Sequence, residues 1–150
     1  MLRKFLFSTQ PTGVTFPLRI ALGLIFMAHG GQKLFGWFGG YGLQGTAGFF
    51  EQMGLTPGIF WAGLAGCGEF FGGLLVILGI LTRFGALNIA IVMLVAIVKV
   101  HWPAFFAPAG IEYPMSLFGA ALALMIAGGG KFSVDSLIGG KPNQMSSAPR

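Results

Sequence analysis

Acidic residues are nearly missing from this chain. Its 150 residues hold four carboxylates, Glu51, Glu69, Glu112 and Asp135, and only 9% of positions are charged. Soluble domains draw about a quarter of their residues from Asp, Glu, Lys and Arg, so an ordinary soluble fold is excluded. Cysteine is as scarce. The single Cys67 rules out an intramolecular disulfide, a dithiol couple and a cysteine-built metal site, and no other metal-ligating pattern is legible. Inside an apolar run, Cys67 is expected to be a small packing residue. Basic clusters are absent too: none exceeds two residues, so the net charge of +5 gives no nucleic-acid partner.

What is present is apolar, with 55% hydrophobic residues and 26 glycines lying mostly inside apolar runs. The stretch Gly58–Ile80 carries one charge, Glu69. At ~1.5 Å per residue it is long enough to cross the ~30 Å hydrocarbon core of a bilayer. Comparable runs at Phe16–Trp37, Gly85–Val100 and Tyr113–Gly129 predict three more spans. Between the first two spans, Thr46–Met53 reads as a short helix stopped by Gly54, with Phe49, Phe50 and Met53 in the interface and Glu51 facing water. The expected fold is therefore all-α: an integral membrane four-helix bundle with a short interfacial helix, one domain over residues 1–138. A polar tail, 139–150, is expected to be disordered. Met1–Gly13 lacks a small-residue cleavage site before a long apolar run, so the first span is read as uncleaved.

Orientation follows from charge. With both termini cytoplasmic, the inner ends carry Arg3, Lys4, Arg19, Arg83, Lys131, Lys141 and Arg150, and the outer side keeps Lys33 and Lys99. The same topology puts all three Trp and both Tyr at the outer interface. A bacterial inner (cytoplasmic) membrane protein with several passes is the expectation, with the lipid bilayer as its first partner.

Polar residues inside the spans are the candidate site. A mid-membrane carboxylate costs a few kcal/mol and normally faces a partner or a wet cavity. Around Glu69 the helical neighbours are Ala62, Ala65, Gly66, Gly72, Gly73 and Val76, a small-residue face that lets helices approach closely. A similar face is read for the fourth span at Ser116, Gly119, Ala123 and Ala127. On the first span Arg19, Phe26, His29 and Lys33 share one stripe. His29 lies roughly 12 Å and Glu69 roughly 16 Å below the outer ends of their spans at standard helical rise. Asn88 and Lys99, eleven residues apart, share a face of the third span, and His101, Glu112 and Tyr113 stand at the outer mouth. The bland alternative is a structural carboxyl with interfacial cations paired to headgroups and water.

The set Arg19-x₉-His29-Gly30-x₂-Lys33-Leu34-Phe35-Gly36, Glu69-x₂-Gly72-Gly73-Leu74-x₄-Gly79-x₂-Thr82-Arg83, Glu112-Tyr113-Pro114 and Lys131-Phe132-Ser133-Val134-Asp135 resembles the DoxX family over about residues 14–138. That resemblance implies a four-helix membrane protein. It also implies kinship with a subunit of a thiosulfate:quinone oxidoreductase and with membrane oxidoreductase complexes that counter thiol and oxidative stress. The leading expectation is a quinone-linked oxidoreductase subunit, with quinone as a non-covalent cofactor. Glu69, His29 and Lys33 are the expected catalytic groups, with Arg19, Lys99, His101, Glu112 and Tyr113 binding the ligand. The chain has no haem ligand pair or flavin motif, so a soluble or membrane redox partner is expected. Two alternatives stand beside it: a carrier of a small amphipathic molecule, which implies a homo-oligomer, and a scaffold for other membrane proteins.

Overall fold

The computed structural model describes residues 6–106, 108 and 110–139, and among these there are helices and no strands. In chain order they are α1 (Thr15–Phe35), a 3₁₀ turn (Trp37–Gly39), α2 (Gly42–Gln52), α3 (Gly58–Leu78), α4 (Thr82–Val95), α5 (Glu112–Ala127) and a short α6 (Val134–Ile138). A π-helical turn, Ala96–His101, extends α4. The tail expected from residue 139 lies, beyond Gly139, outside the described residues, as do residues 1–5.

Two helical segments, Gly58–Leu78 and Thr82–His101, are long and apolar enough to cross a membrane, and Glu112–Ala127 is a shorter apolar helix. Apolar side chains cover the outside: Leu24, Phe71, Leu87, Leu94 and Ile126 are all exposed. So much contiguous apolar surface is not tolerated in water and suits a lipid surround. Inside, Leu22 and Phe26 of α1 pack with Val76 of α3, Ile89 and Met93 of α4, and Ala121 and Leu124 of α5.

Glycine sets the helix spacing. The buried face of α3 is Gly58, Ala62, Gly66, Glu69, Gly72, Gly73 and Val76, the small-residue face legible in the sequence. A Cβ on Gly73 would lie 2.7 Å from the Gly23 carbonyl oxygen and 2.8 Å from the Met27 nitrogen, so α1 and α3 meet backbone to backbone. On the other side of α3, a Cβ on Gly85 would stand 2.8 Å from the Gly72 carbonyl oxygen, which brings α4 equally close. Cys67 falls outside this face and is exposed, not packed as expected, because it lies ~100° around the helix from Gly66.

The helix expected as the fourth span, α5, departs from its expected packing. Pro114, Ala121 and Leu124 are buried, whereas Ser116, Gly119 and Ala123 point outward. This helix has two small-residue stripes and no internal charge to mark the inner one. The loop helix also begins earlier than expected, at Gly42, and Glu51 does more than face water. Its Oε1 accepts the Gly58 N–H at 3.1 Å, tying α2 to an orphan donor at the N-terminus of α3.

The opposite end of the bundle is fastened by a polar clasp. Arg19, 1% exposed, donates from Nε to the Val76 carbonyl at 2.8 Å and from Nη2 to Ile77 at 2.7 Å, where α3 runs out of helical partners. Its Nη1 donates to the carbonyls of Gly129 at 2.8 Å and Phe132 at 2.7 Å, in the segment after α5. Asp135, also 1% exposed, accepts the N–H groups of Leu81 at 2.7 Å and Thr82 at 2.9 Å. A carboxylate from 53 residues away along the chain thus caps the start of α4. It also holds Leu81, a side-chain-bearing residue at φ 49°, in the left-handed region.

Candidate functional site: an ion pair beneath an apolar cavity

Between the helices, away from the clasp, lies a cavity of about 450 Å³. Phe26, His29 and Lys33 of α1 line one wall, and Ala65 and Glu69 of α3 the next. Asn88, Val92 and Ala96 come from α4 and its π turn, Tyr113 and Leu117 from α5, while Phe49 and Phe50 of α2 and Met53 just after it also line it. The walls are mainly apolar, and the polar groups are few.

The central contact is Lys33 Nζ to Glu69 Oε2 at 2.6 Å. Glu69 is 2% exposed and Lys33 25%, so the carboxylate is enclosed and the ammonium reaches toward the cavity. An ammonium has three donors, and the carboxylate uses one at this contact, leaving donor positions for an oxygen-bearing ligand. His29 lines the same cavity one helical turn before Lys33. Pairing is required where Glu69 sits, because an isolated buried charge costs several kcal/mol. Removing one partner, as in Glu69→Ala, should then cost about 3–5 kcal/mol, well above the cost of removing both. A double-mutant cycle between Glu69→Gln and Lys33→Met, read by denaturation of the solubilised protein, should show coupling of about 1 kcal/mol or more. Additive effects would mean that the pair is not an energetic unit.

The eight residues singled out from sequence separate into four groups. Glu69, Lys33, His29, His101 and Tyr113 all line the cavity. Arg19 does not: it sits in the clasp, ~21 Å of helix from Lys33, and binds backbone carbonyls. Lys99 is exposed and lines a separate outer groove. The reason is the π turn, which inserts a residue and rotates later positions by ~100°, so that Val100 and His101 reach the cavity where Lys99 was expected. Glu112 opens α5 and is not among the cavity residues, although Tyr113 and Pro114 beside it are. Asn88 is a cavity residue missed as a site candidate. Its Nδ2 donates to the Phe84 carbonyl at 2.9 Å, and an amide inside an apolar span was the available signal.

Apolar outside, held by close glycine contacts and built around a buried ion pair under a cavity, this is a helical membrane protein. The chain belongs to the DoxX family: the family model described as DoxX matches residues 14–102. That match takes in Lys33, Glu69, Asn88 and His101 and ends before α5 and the Asp135 side of the clasp. A Bacillus subtilis protein with the name "Putative oxidoreductase CatD" is 34% identical over 111 residues, which is 73% of this chain and 77% of that one. "Uncharacterized membrane protein Rv3486" of Mycobacterium tuberculosis is 40% identical over 81 residues, 54% of this chain and about half (47%) of that protein. No solved structure matches the chain.

Proposed function

We propose that the chain is the integral membrane subunit of a quinone-linked oxidoreductase system, serving sulfur-compound oxidation or defence against thiol and oxidative stress. The observation that carries this reading is the Lys33–Glu69 pair at the base of a mainly apolar cavity. A quinone head offers carbonyl oxygens on an apolar ring. Lys33 Nζ supplies a charged donor for such an oxygen, and charged donors make the stronger hydrogen bonds. Glu69, enclosed behind Lys33, takes or returns the proton that accompanies a change in the ligand's charge, and His29 extends the route along the cavity wall. Bound there, a quinone would supply the electron-accepting chemistry. The residues of this chain orient it, exclude water and move protons, and electrons come from a soluble or membrane partner. The oxidoreductase name of the Bacillus subtilis relative agrees with this assignment.

The membrane arrangement that goes with it has four spans, α1, α3, α4 with its π turn, and α5, in the bacterial cytoplasmic membrane with both termini inside. The cavity then opens toward the outer face, and the clasp lies near the cytoplasmic surface. The test is whether quinone copurifies with the detergent-solubilised protein and is lost from Glu69→Gln that remains folded, as read by a cooperative thermal transition. Equal quinone content in the two proteins would remove Glu69 from the site.

A further inference from the structure

The cavity has a neighbour. On the outer surface of α3 and α4, Leu55, Trp61, Leu94, Val95, Val98 and Lys99 line a groove of about 380 Å³. Leu55, Trp61 and Val95 also line the cavity, so one set of side chains forms the boundary of both spaces. The polar groups divide unevenly across that boundary. Lys33, Glu69, His29 and Asn88 are all on the cavity side, whereas the groove is walled by apolar side chains apart from Lys99. Leu94 is 50% exposed and Val98 57%, so the described residues leave the groove open to the surroundings. Farther along the same two helices the Gly72–Gly85 contact brings the backbones close together.

From this shared boundary we propose that the ligand of the cavity is a single-tailed amphiphile: its oxygen-bearing head sits at Lys33–Glu69, and its apolar tail passes between Trp61 and Val95 into the outer groove. The inference rests on the proposed function and narrows it, because it requires the ligand to carry a tail and to enter sideways from the lipid. A tailless molecule of the same head chemistry uses the cavity alone.

The experiment compares two benzoquinones that share a head, one with a decyl chain and one with none, in liposomes containing the full chain. Bound quinone is measured per protein and corrected for partition into protein-free liposomes. Val98→Trp and Leu94→Trp fill the groove from positions that do not themselves line the cavity, and Leu87→Trp, elsewhere on the exposed side of α4, is the control. Losing contact with as few as two methylenes weakens binding about tenfold, so Val98→Trp should weaken the decyl quinone by that factor or more. The tailless quinone should bind all four proteins alike, which also reports that the variants are folded. Unchanged decyl binding in both groove variants, with both quinones held by the wild type, would overturn the tail site and leave the proposed function standing. Failure of the wild type to bind either quinone would instead remove the proposed function, and the tail site with it.

Discussion

Arg19→Met should lower the stability of the solubilised protein more than any other single exchange of a polar residue. Arg19 donates to four backbone carbonyls, those of Val76, Ile77, Gly129 and Phe132, while being 1% exposed. Val76 keeps the Gly79 N–H and Gly129 the Thr15 hydroxyl, so Ile77 and Phe132 are the acceptors left stranded, at about 1–3 kcal/mol each. With the four charge-assisted bonds gone as well, the loss is roughly 5 kcal/mol. For a chain of this size that corresponds to a melting temperature lower by about 10–20 °C. Arg19→Lys is the informative companion. It keeps the charge near Asp135 but replaces a planar fork of five donors with three donors on one nitrogen, which cannot reach all four carbonyls. Lysine should therefore recover less than half of the loss. Full rescue by lysine would show that charge, not the spread of donors, is what the clasp needs.

Gly73→Leu is the second large effect. The added side chain starts where a Cβ already lies 2.7 Å from the Gly23 carbonyl oxygen and 2.8 Å from the Met27 nitrogen. Both obstacles are backbone, so no rotamer change relieves them, and α1 must move off α3. Overpacking of a yielding core costs about 1–3 kcal/mol, and an unyielding backbone contact should exceed the top of that range. Leu78→Ala, on an exposed position of the same helix, should stay within about 0.5 kcal/mol. Because α1 carries Lys33 and α3 carries Glu69, Gly73→Leu should also part the ion pair. Similar melting temperatures for the two variants would mean that the glycine face is not the α1–α3 interface.

How far the site was legible in the sequence depended on markers. Glu69 is a lone charge in a long apolar run, so the wheel around it could be drawn, and five of its six residues are buried on α3, with Ala65 half-buried at the cavity wall. Lys33 and His29 share a stripe of α1 and line the cavity, as their spacing suggests. The same stripe misplaced Arg19. Helical spacing says which face a residue occupies, not which tertiary partners wait at that height, and here they are the frayed carbonyls at the end of α3. Lys99 was lost to the π turn, which changes the register without any Pro or Gly to announce it. In α5 the inner face had no charge to mark it, and the small residues chosen point outward. Asp135 shows the limit most clearly. Its role as the cap of α4 depends on a contact across 53 residues, which no local pattern encodes.

The measurement that bears most directly on the central claim is a quinone titration read by Trp61, which lines the cavity. In a Trp37→Phe, Trp102→Phe background Trp61 is the sole tryptophan, and a tailless benzoquinone is the quencher. The pair-at-the-cavity account predicts saturable quenching in the parent and about tenfold weaker binding in Lys33→Met, the loss of one charge-assisted hydrogen bond. Quenching that rises linearly without saturation, or that is identical in the folded Lys33→Met protein, would contradict it.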